Sequence, residues 1–153
     1  MPARVYECDE PEVKALKKIL SYDPYLDPNL IPKSSDLSEK DLAKLSDEEK
    51  KAYAEREAAT RAAIEKLKSD KFANVIFARQ DYDMREGKSI GVEDSKSYLY
   101  LKATDEFLNA AEERFKHEFK TVKRATSVIE KKFIELKESE ESAANVGFGA
   151  IFG

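Results

Sequence analysis

The sequence predicts an all-α protein, a long antiparallel helical hairpin within a small helical bundle. From residue 47 to residue 86 the chain has no Gly or Pro and is rich in the helix formers Ala, Glu, Lys and Arg. Farther along, large apolar residues recur every seven positions without a gap, which is typical of a long helix packed lengthwise on another. These residues are Leu101, Leu108, Phe115, Val122, Ile129 and Leu136.

The N-terminal part of the sequence predicts one short helix followed by an extended arm. Asp9 is a favourable N-cap, Pro11 suits the first turn, and apolar residues then recur at helical spacing up to Leu20. From Tyr22 the chain has three prolines in eleven residues, which exclude a regular helix. The apolar residues between these prolines favour an arm over residues 22–37 that packs across the helices. The alternative is that the arm is presented to a partner.

Serine residues mark where two further helices begin. Ser46 and Glu49 form a capping box, in which each side chain satisfies a free backbone amide of the other residue, and Ser38 caps a shorter helix. The stretch over residues 71–86 is ambiguous, because it is either helix continuous with residues 47–69 or a strand. Helix is favoured, since no second convincing strand exists to pair with it.

Glycines predict the tip of the hairpin. Gly87 and Gly91 bound a turn, after which Asp94 or Ser95 is expected to cap the last helix. The helical domain is expected to cover residues 1–142.

The last eleven residues, 143–153, form a tail of different character, with three glycines and no charged residue. Glycine disfavours helix, so no stable helix is expected in the last part. The large apolar side chains of the tail are costly to leave in water. The tail is therefore expected to dock either on a partner or on the protein's own helices. Its predicted anchors are Val146, Phe148, Ile151 and Phe152.

Composition sets limits on class and location. The 153 residues, of which 41% are hydrophobic, are enough for one domain with one core. Acidic residues (31) slightly outnumber basic ones (27), so nucleic-acid binding is not expected. Cys8 is the single cysteine, which excludes an internal disulfide. Neither an apolar stretch long enough to span a membrane nor a signal-peptide core is found, so a cytoplasmic location is expected.

The sequence lacks a complete catalytic motif, so no catalytic residue, cofactor or metal site is predicted and an enzyme is not favoured. Gly87-Lys-Ser is similar to the end of a phosphate-binding P-loop, but Tyr82 stands where that motif needs its first glycine. Glu113 and His117 are spaced to share a metal, yet the chain has no second histidine. Cys8 and His117 form a nucleophile–base pair only if the fold brings them together.

The most site-like segment runs from Arg79 to Lys88. Two guanidinium groups beside free backbone amides at a helix N-terminus are able to hold a phosphate or carboxylate. The alternative is that neighbouring acidic residues neutralise these cations. The predicted anion-binding residues are Arg79, Tyr82, Arg85 and Lys88. A basic stripe farther along is flanked by glutamates and is interpreted as a solvated face. It consists of Lys116, Lys120, Lys123 and Arg124.

Two functions from different classes follow. The first is a non-enzymatic helical interaction protein, an accessory or assembly subunit of a larger complex. It would dock through its tail and its helical face on another protein or on a second copy of itself. The second is a small-ligand or phosphate-binding regulatory protein with its site at the tip of the hairpin. The missing catalytic motif and the apolar tail favour the first.

Overall fold

The computed structural model describes residues 1–31 and 37–152, with side chains described as far as Ala144. The chain divides into two compact units. The first unit comprises Met1–Ser21 and Phe77–Gly153, and the second comprises Tyr22–Ile76.

The first unit is a mixed α/β structure, so the prediction of an all-α helical hairpin and bundle is wrong. Among the residues that the structure describes, its strands are β1 (Ala3–Cys8), β2 (Asp81–Glu86), β3 (Ser97–Lys102) and β4 (Lys123–Arg124). They form one antiparallel sheet in the order β2-β3-β1-β4. The helices of the first unit are α1 (Glu10–Leu20), α4 (Asp105–Glu118) and α5 (Ser127–Phe152). Those of the second unit are α2 (Glu39–Ala43) and α3 (Asp47–Ser69).

Along the chain the first unit follows the order β1-α1-β2-β3-α4-β4, with β1 and β3 at the centre of the sheet. This is the β-α-β-β-α-β arrangement of ferredoxin-like folds. It carries two additions, because the second unit is inserted between α1 and β2, and α5 follows β4. Folds of this kind host many unrelated functions, so the topology by itself assigns none.

One face of the sheet is covered by α5. Side chains alternate between the two faces of a strand, and Val5, Tyr98 and Tyr100 point to this side. They pack with Phe133 of α5, and none of the four side chains is more than 4% exposed. The rings of Tyr100 and Phe133 lie with their centroids 5.7 Å apart. This apolar cluster holds α5 on the sheet.

The opposite face is covered by α1 and α4. Tyr6 points to this side, and its ring meets that of Phe115 in α4 edge-on at a centroid distance of 5.1 Å. Phe77 stacks on Phe115 at 5.2 Å, and the turn that carries Phe77 contacts α1. The central strands β1 and β3 are therefore largely buried on both sides, whereas the edge strands β2 and β4 are not. A strand buried on both sides carries a run of apolar residues, as β3 does, and not an alternating pattern.

Charged side chains also tie α5 to the edge strand β2. Arg85 binds Glu140 of α5 through both Nη atoms, at 2.8 and 2.7 Å. Asp83 accepts hydrogen bonds from Arg85 and from Lys137. The Arg85 guanidinium lies over the ring of Phe133, so this ionic group adjoins the apolar cluster.

The seven-residue apolar period does not belong to one helix. Its members are distributed as Leu101 in β3, Leu108 and Phe115 in α4, Val122 before β4, and Ile129 and Leu136 in α5. The first four are buried, and the last two pack against the α5 cluster. The backbone is extended at Thr104 and again at Phe119, so no single helix runs through the series. The seven-residue period indicates correctly which residues are buried. It does not show that they lie in one helix, because several elements packed in turn around one core also produce buried residues at regular intervals.

The ambiguous stretch over residues 71–86 is neither a continuation of α3 nor a single strand. α3 ends at Ser69, where the side-chain amide of Asn74 donates to three backbone carbonyl oxygens. A 3₁₀ turn follows at Phe77–Arg79, and β2 occupies the last six residues of the stretch. The amide thereby replaces part of the backbone hydrogen bonding that is lost where a helix ends.

The predicted turn after β2 is present, but it leads into a strand. A 3₁₀ turn at Gly87–Ile90 ends at Gly91, whose φ of 79° lies in the left-handed region that favours glycine. Asp94 accepts hydrogen bonds from the Lys96 backbone amide and from the Tyr98 hydroxyl. It therefore holds the entry to β3, and the expectation that it caps a helix is wrong.

Most helix boundaries predicted from capping residues are confirmed. α1 has Pro11 in its first turn and ends at Leu20, although the side chain of Asp9 makes no capping hydrogen bond. The hydroxyls of Ser38 and Ser46 accept backbone N–H groups in the first turns of α2 and α3. Capping joins residues that are close in the sequence, which is why it is visible there.

The second unit contains the predicted arm. A 3₁₀ turn occupies Pro24–Leu26, and the side chain of Leu26 is 79% exposed. The Tyr25 hydroxyl donates to the side chain of Asn74, which attaches this part of the arm to the segment after α3. Residues 32–36 of the arm lie outside the residues that the structure describes.

The last helix, α5, extends to Phe152, so the expectation that glycines exclude helix from the tail is wrong for the backbone. Each interior glycine costs only about 1 kcal/mol relative to Ala, which disfavours a helix without forbidding it. The side chains predicted to anchor the tail lie outside the part of the chain whose side chains are described. They are Val146, Phe148, Ile151 and Phe152.

Candidate functional site

The four residues predicted to bind an anion are not brought together. Tyr82 and Arg85 are three positions apart on β2, so their side chains point to opposite faces of the sheet. The guanidinium of Arg85 is already held by two carboxylates. Arg79 lies in the turn before β2, and Lys88 lies in the turn after it. The predicted tip site is therefore not assembled.

Lys88 lines a wide cleft between α1 and the start of β3. The volume of this cleft is about 1080 Å³. Charged residues of both signs surround it, namely Glu10, Lys14, Lys17, Glu86, Glu93, Asp94 and Lys96. Because both signs are present on largely exposed walls, the cleft does not select a ligand of one charge.

A smaller pocket lies between α4, β1 and β4, and we call it the β4 pocket. It is lined by Tyr6, Glu112, Phe115, Lys116, Val122, Lys123 and Arg124. Its volume of about 330 Å³ is at the lower end of the range of ligand pockets, about 300–1,000 Å³. Tyr6, Phe115 and Val122 form its apolar part and are no more than 4% exposed.

Two structural elements bring these side chains to the same place. On α4, Glu112, Phe115 and Lys116 are three and four positions apart, so they share one face of the helix. β4 pairs with β1 in a register that sets Arg124 opposite Tyr6. The β4 pocket therefore depends on the short β4 strand being added to the edge of β1.

Glu112 is the centre of the polar side of the β4 pocket. Its Oε1 atom accepts hydrogen bonds from the Arg4 guanidinium at 2.9 Å and from the Tyr6 hydroxyl at 3.1 Å. Nη1 of Arg124 lies 3.6 Å from the same oxygen. Burial, followed by the charge and the hydrogen bond of Glu112, raises the pKa of Tyr6 well above its ordinary value. The phenol is therefore protonated, and it already donates its one hydrogen to Glu112.

Arg124 connects the β4 pocket to α5. Its Nε and Nη2 atoms donate to the two oxygens of Glu130 at 2.7 and 2.8 Å, and Glu130 also accepts the backbone N–H of Val5. Burial acts to raise the pKa of Glu130, but these hydrogen bonds outweigh it and the pKa is lowered. Within the described part of the chain, Nη1 of Arg124 donates no hydrogen bond and has only the longer ionic contact with Glu112.

The two lysines of the β4 pocket differ in their pairing. Nζ of Lys123 lies 3.3 Å from a carboxylate oxygen of Glu7, which also binds Lys96. Lys116 forms no ion pair or hydrogen bond with any residue that the structure describes. Lys116 is exposed, so it is a solvated cation at the edge of a pocket whose other charged side chains are paired within the protein.

The thiol of the single cysteine is buried and hard to ionise. Cys8 is buried in β1. Burial, followed by the charges of Glu12 and Asp9, raises the pKa of its thiol to about 11. The thiolate is the reactive form of cysteine, so a nucleophile–base pair with His117 is not favoured.

The part of the chain that the structure describes contains neither a cluster of three possible metal ligands nor a helix suited to cross a membrane. No three His, Cys, Asp or Glu side chains there are grouped closely enough to hold a metal ion. No helix there is long and apolar enough to cross a membrane.

Sequence reasoning identified the cations of the β4 pocket but not the pocket itself. Lys116, Lys123 and Arg124 belong to the basic stripe that the sequence presents as a solvated face. Tyr6 and Arg4 are missed because the N-terminal segment has no helical period. The sequence feature that indicates a strand here is the presence of a valine and a tyrosine in Arg4–Cys8, since both residue types favour strands.

Comparison of the chain with protein-family models, with curated proteins and with solved structures finds no significant match.

Proposed function

We propose that this protein is a ligand-binding protein that takes a small organic anion in the β4 pocket. This keeps the second of the two functions predicted from the sequence and moves its site from the tip of β2 to β1, α4 and β4. The observation that carries the proposal is Lys116, a cation without a partner among the described residues, beside a buried apolar surface. Ligand pockets combine a mostly apolar lining with a few polar groups that fix orientation.

The other charged groups of the β4 pocket support a binding role because they are held in place. Glu112 is bound by Arg4 and Tyr6, and Arg124 is bound by Glu130 through two hydrogen bonds. Side chains that are already ordered lose little entropy when a ligand arrives. An anionic group placed at Lys116 would gain a charge-assisted contact without breaking an existing pair.

The first test is a ligand screen read residue by residue. We expect members of a panel of small organic anions to shift the amide NMR signals of Tyr6, Phe115 and Val122 in the full-length protein. Lys116→Met is expected to lower the affinity for these anions roughly ten- to a hundredfold, since a hydrogen bond to a charged group contributes about 1.5–3 kcal/mol.

The matched control for this screen is Lys131→Met, which removes an exposed lysine from α5. It is expected to leave the affinities unchanged. The proposal fails if no panel member shifts the signals of the β4 pocket, or if both variants weaken binding equally.

Protein interaction, the first function predicted from the sequence, is our second candidate, and α3 is the feature that favours it. None of its 23 residues is buried, whereas helices in proteins gain most of their stability from packing. Residues 47–57 carry five acidic and three basic side chains, and residues 58–69 carry three basic and one acidic. Two copies of α3 placed antiparallel would therefore set opposite charges against each other, which points to a second copy of this chain as the partner.

Sedimentation velocity at several protein concentrations tests this association. We expect a dimer at low ionic strength that dissociates as salt is added, because exposed charges are screened. Lys66→Glu together with Lys68→Glu is expected to weaken the dimer, and Lys131→Glu serves as the control. A protein that stays monomeric at every concentration, or an α3 variant that associates like the control, contradicts the proposal.

Docking through the tail stays a prediction from the sequence, as does the cytoplasmic location. The tail prediction rests on Val146, Phe148, Ile151 and Phe152, whose side chains lie outside the described part of the chain.

A further inference from the structure

We infer that the outer edge of β2 pairs, antiparallel, with the same edge of a second copy of this chain and joins the two sheets into one. This contact goes beyond the proposed functions, because it uses neither the β4 pocket nor α3, which lies in the other unit. Three observations carry it: the backbone groups left open along β2, the closed edge on the opposite side of the sheet, and charges that admit one register.

β2 is an edge strand with one side of its backbone open. In an antiparallel ladder, alternate residues direct their N–H and C=O groups to the same neighbouring strand. Gly87, directly after β2, donates its N–H to Lys96, so the odd-numbered residues turn toward β3. Tyr82, Met84 and Glu86 therefore turn outward, and their backbone groups bind no residue that the structure describes.

The opposite edge of the sheet, at β1, is closed by the protein itself. β4 pairs there with Tyr6 and Glu7. Beyond β4, the N–H of Val5 donates to the Glu130 carboxylate at 3.1 Å, and its carbonyl accepts the N–H of Ala125 at 2.9 Å. An open edge is a template for another strand, and proteins often block it with Lys or Pro. β2 contains neither, so its edge is left available.

The charges of β2 favour one register. With a two-fold axis at Met84, outward-facing residues meet, and Asp83 of each copy lies opposite Arg85 of the other. Moving the axis by one residue sets Asp83 against itself or Arg85 against itself. Moving it by two sets Asp81 against Asp83, or Glu86 against itself. Because like charges directly opposite each other are destabilising, only the register centred on Met84 is favoured.

Both faces of β2 are suited to this register. On the α5 face, Asp83 and Arg85 are paired with Lys137 and Glu140, so this group has no net charge and two copies of it approach without net repulsion. On the other face, Met84 is half-buried and would meet Met84 of the second copy directly. The pair therefore gains an apolar contact at its centre.

The test uses full-length protein that carries Lys66→Glu and Lys68→Glu, so that association through α3 does not contribute. Met84→Pro removes the outward N–H at the centre of the edge. Proline is tolerated where the N–H of an edge strand faces solvent, so the pairing with β3 is spared. Met84→Val is the matched control, because it keeps both the N–H and an apolar side chain. Sedimentation velocity at several concentrations measures association, and amide hydrogen exchange locates it.

We expect a dimer that forms with rising concentration in the starting protein and in Met84→Val. In Met84→Pro its affinity is expected to fall at least about tenfold, since two backbone hydrogen bonds at the centre are lost. Exchange at Tyr82, Met84 and Glu86 should slow as the dimer forms, while Asp83 and Arg85 stay protected throughout. A starting protein that is monomeric at every concentration, or equal association of the two Met84 variants, overturns the inference.

The register is tested by mixing two charge variants. Asp83→Arg and Arg85→Asp each place like charges opposite each other in a dimer with themselves, so each alone is expected to be monomeric. An equimolar mixture restores opposite charges at both positions and is expected to form a one-to-one dimer, which a loss of fold would not produce. A mixture of folded variants that stays monomeric overturns the register. If either reversal disturbs α5, Met84→Pro still decides whether the edge pairs. Failure here leaves the β4 pocket and α3 proposals standing, since neither uses β2.

Discussion

Replacing Phe133 by alanine is expected to lower the free energy of unfolding by about 3–5 kcal/mol, the range for truncating a buried phenylalanine. Phe133 is fully buried in the α5 cluster, and its ring lies 5.7 Å from that of Tyr100 in β3. Truncation removes apolar contacts and leaves a cavity between α5 and the sheet. The Arg85 guanidinium, which lies over the same ring, loses its neighbour as well.

Urea denaturation followed by circular dichroism measures this effect. Val128→Ala is the control on the same helix, because Val128 is 75% exposed and its loss is expected to change stability by less than about 0.5 kcal/mol. The total free energy of unfolding of a small domain is about 5–15 kcal/mol, so the loss of a whole phenylalanine side chain is a large part of it. Phe133→Leu is expected to lower the free energy of unfolding by only about 1–2 kcal/mol and provides a milder variant that stays folded. Equal costs for Phe133→Ala and Val128→Ala would mean that α5 does not cover the sheet.

Phe77→Ala is expected to be as damaging, by about 3–5 kcal/mol, on the opposite face of the sheet. Phe77 is fully buried, stacks on Phe115 at 5.2 Å and meets Phe107 edge-on at 5.7 Å. The guanidinium of Arg114 lies over its ring as well. The residue therefore joins the turn before β2 to α4, and its loss opens the interior of the first unit.

A double-mutant cycle isolates one part of this effect. Phe107→Ala is expected to cost less than Phe77→Ala because Phe107 is only half-buried. The coupling energy between the two rings is expected to be about 0.5–1.5 kcal/mol, the range for an edge-to-face pair. A cost below about 1 kcal/mol for Phe77→Ala, or a coupling energy of zero, would contradict this packing.

Features that depend on neighbouring residues were readable from the sequence. The start of α3 at Ser46 follows from a hydroxyl that accepts the N–H of Glu49, three positions away. The limits of α1 follow from Pro11 and from the prolines after Tyr22. These contacts form within one or two turns, so they do not require knowledge of the rest of the fold.

The strands were not predicted because the pattern of apolar residues in each of them is equally compatible with a helix. β3 is buried on both faces, so Tyr98, Leu99, Tyr100 and Leu101 show no alternation of apolar and polar residues. A short apolar run of this kind is not distinguishable from a helix segment by its period. Its partners in the sheet are β1, about a hundred positions earlier, and β2, across a ten-residue connection.

The sequence by itself determined the helix caps, the burial of the seven-residue series and the basic stripe to which Lys116, Lys123 and Arg124 belong, which it presented as a solvated face. Only the tertiary structure decided that these cations surround a pocket. Tyr6 and Glu112 are 106 positions apart and meet because β4 pairs with β1 and α4 packs over Tyr6. Strand order depends on which long-range pairings bury the most apolar surface together, and that is a property of the whole chain, not of any segment.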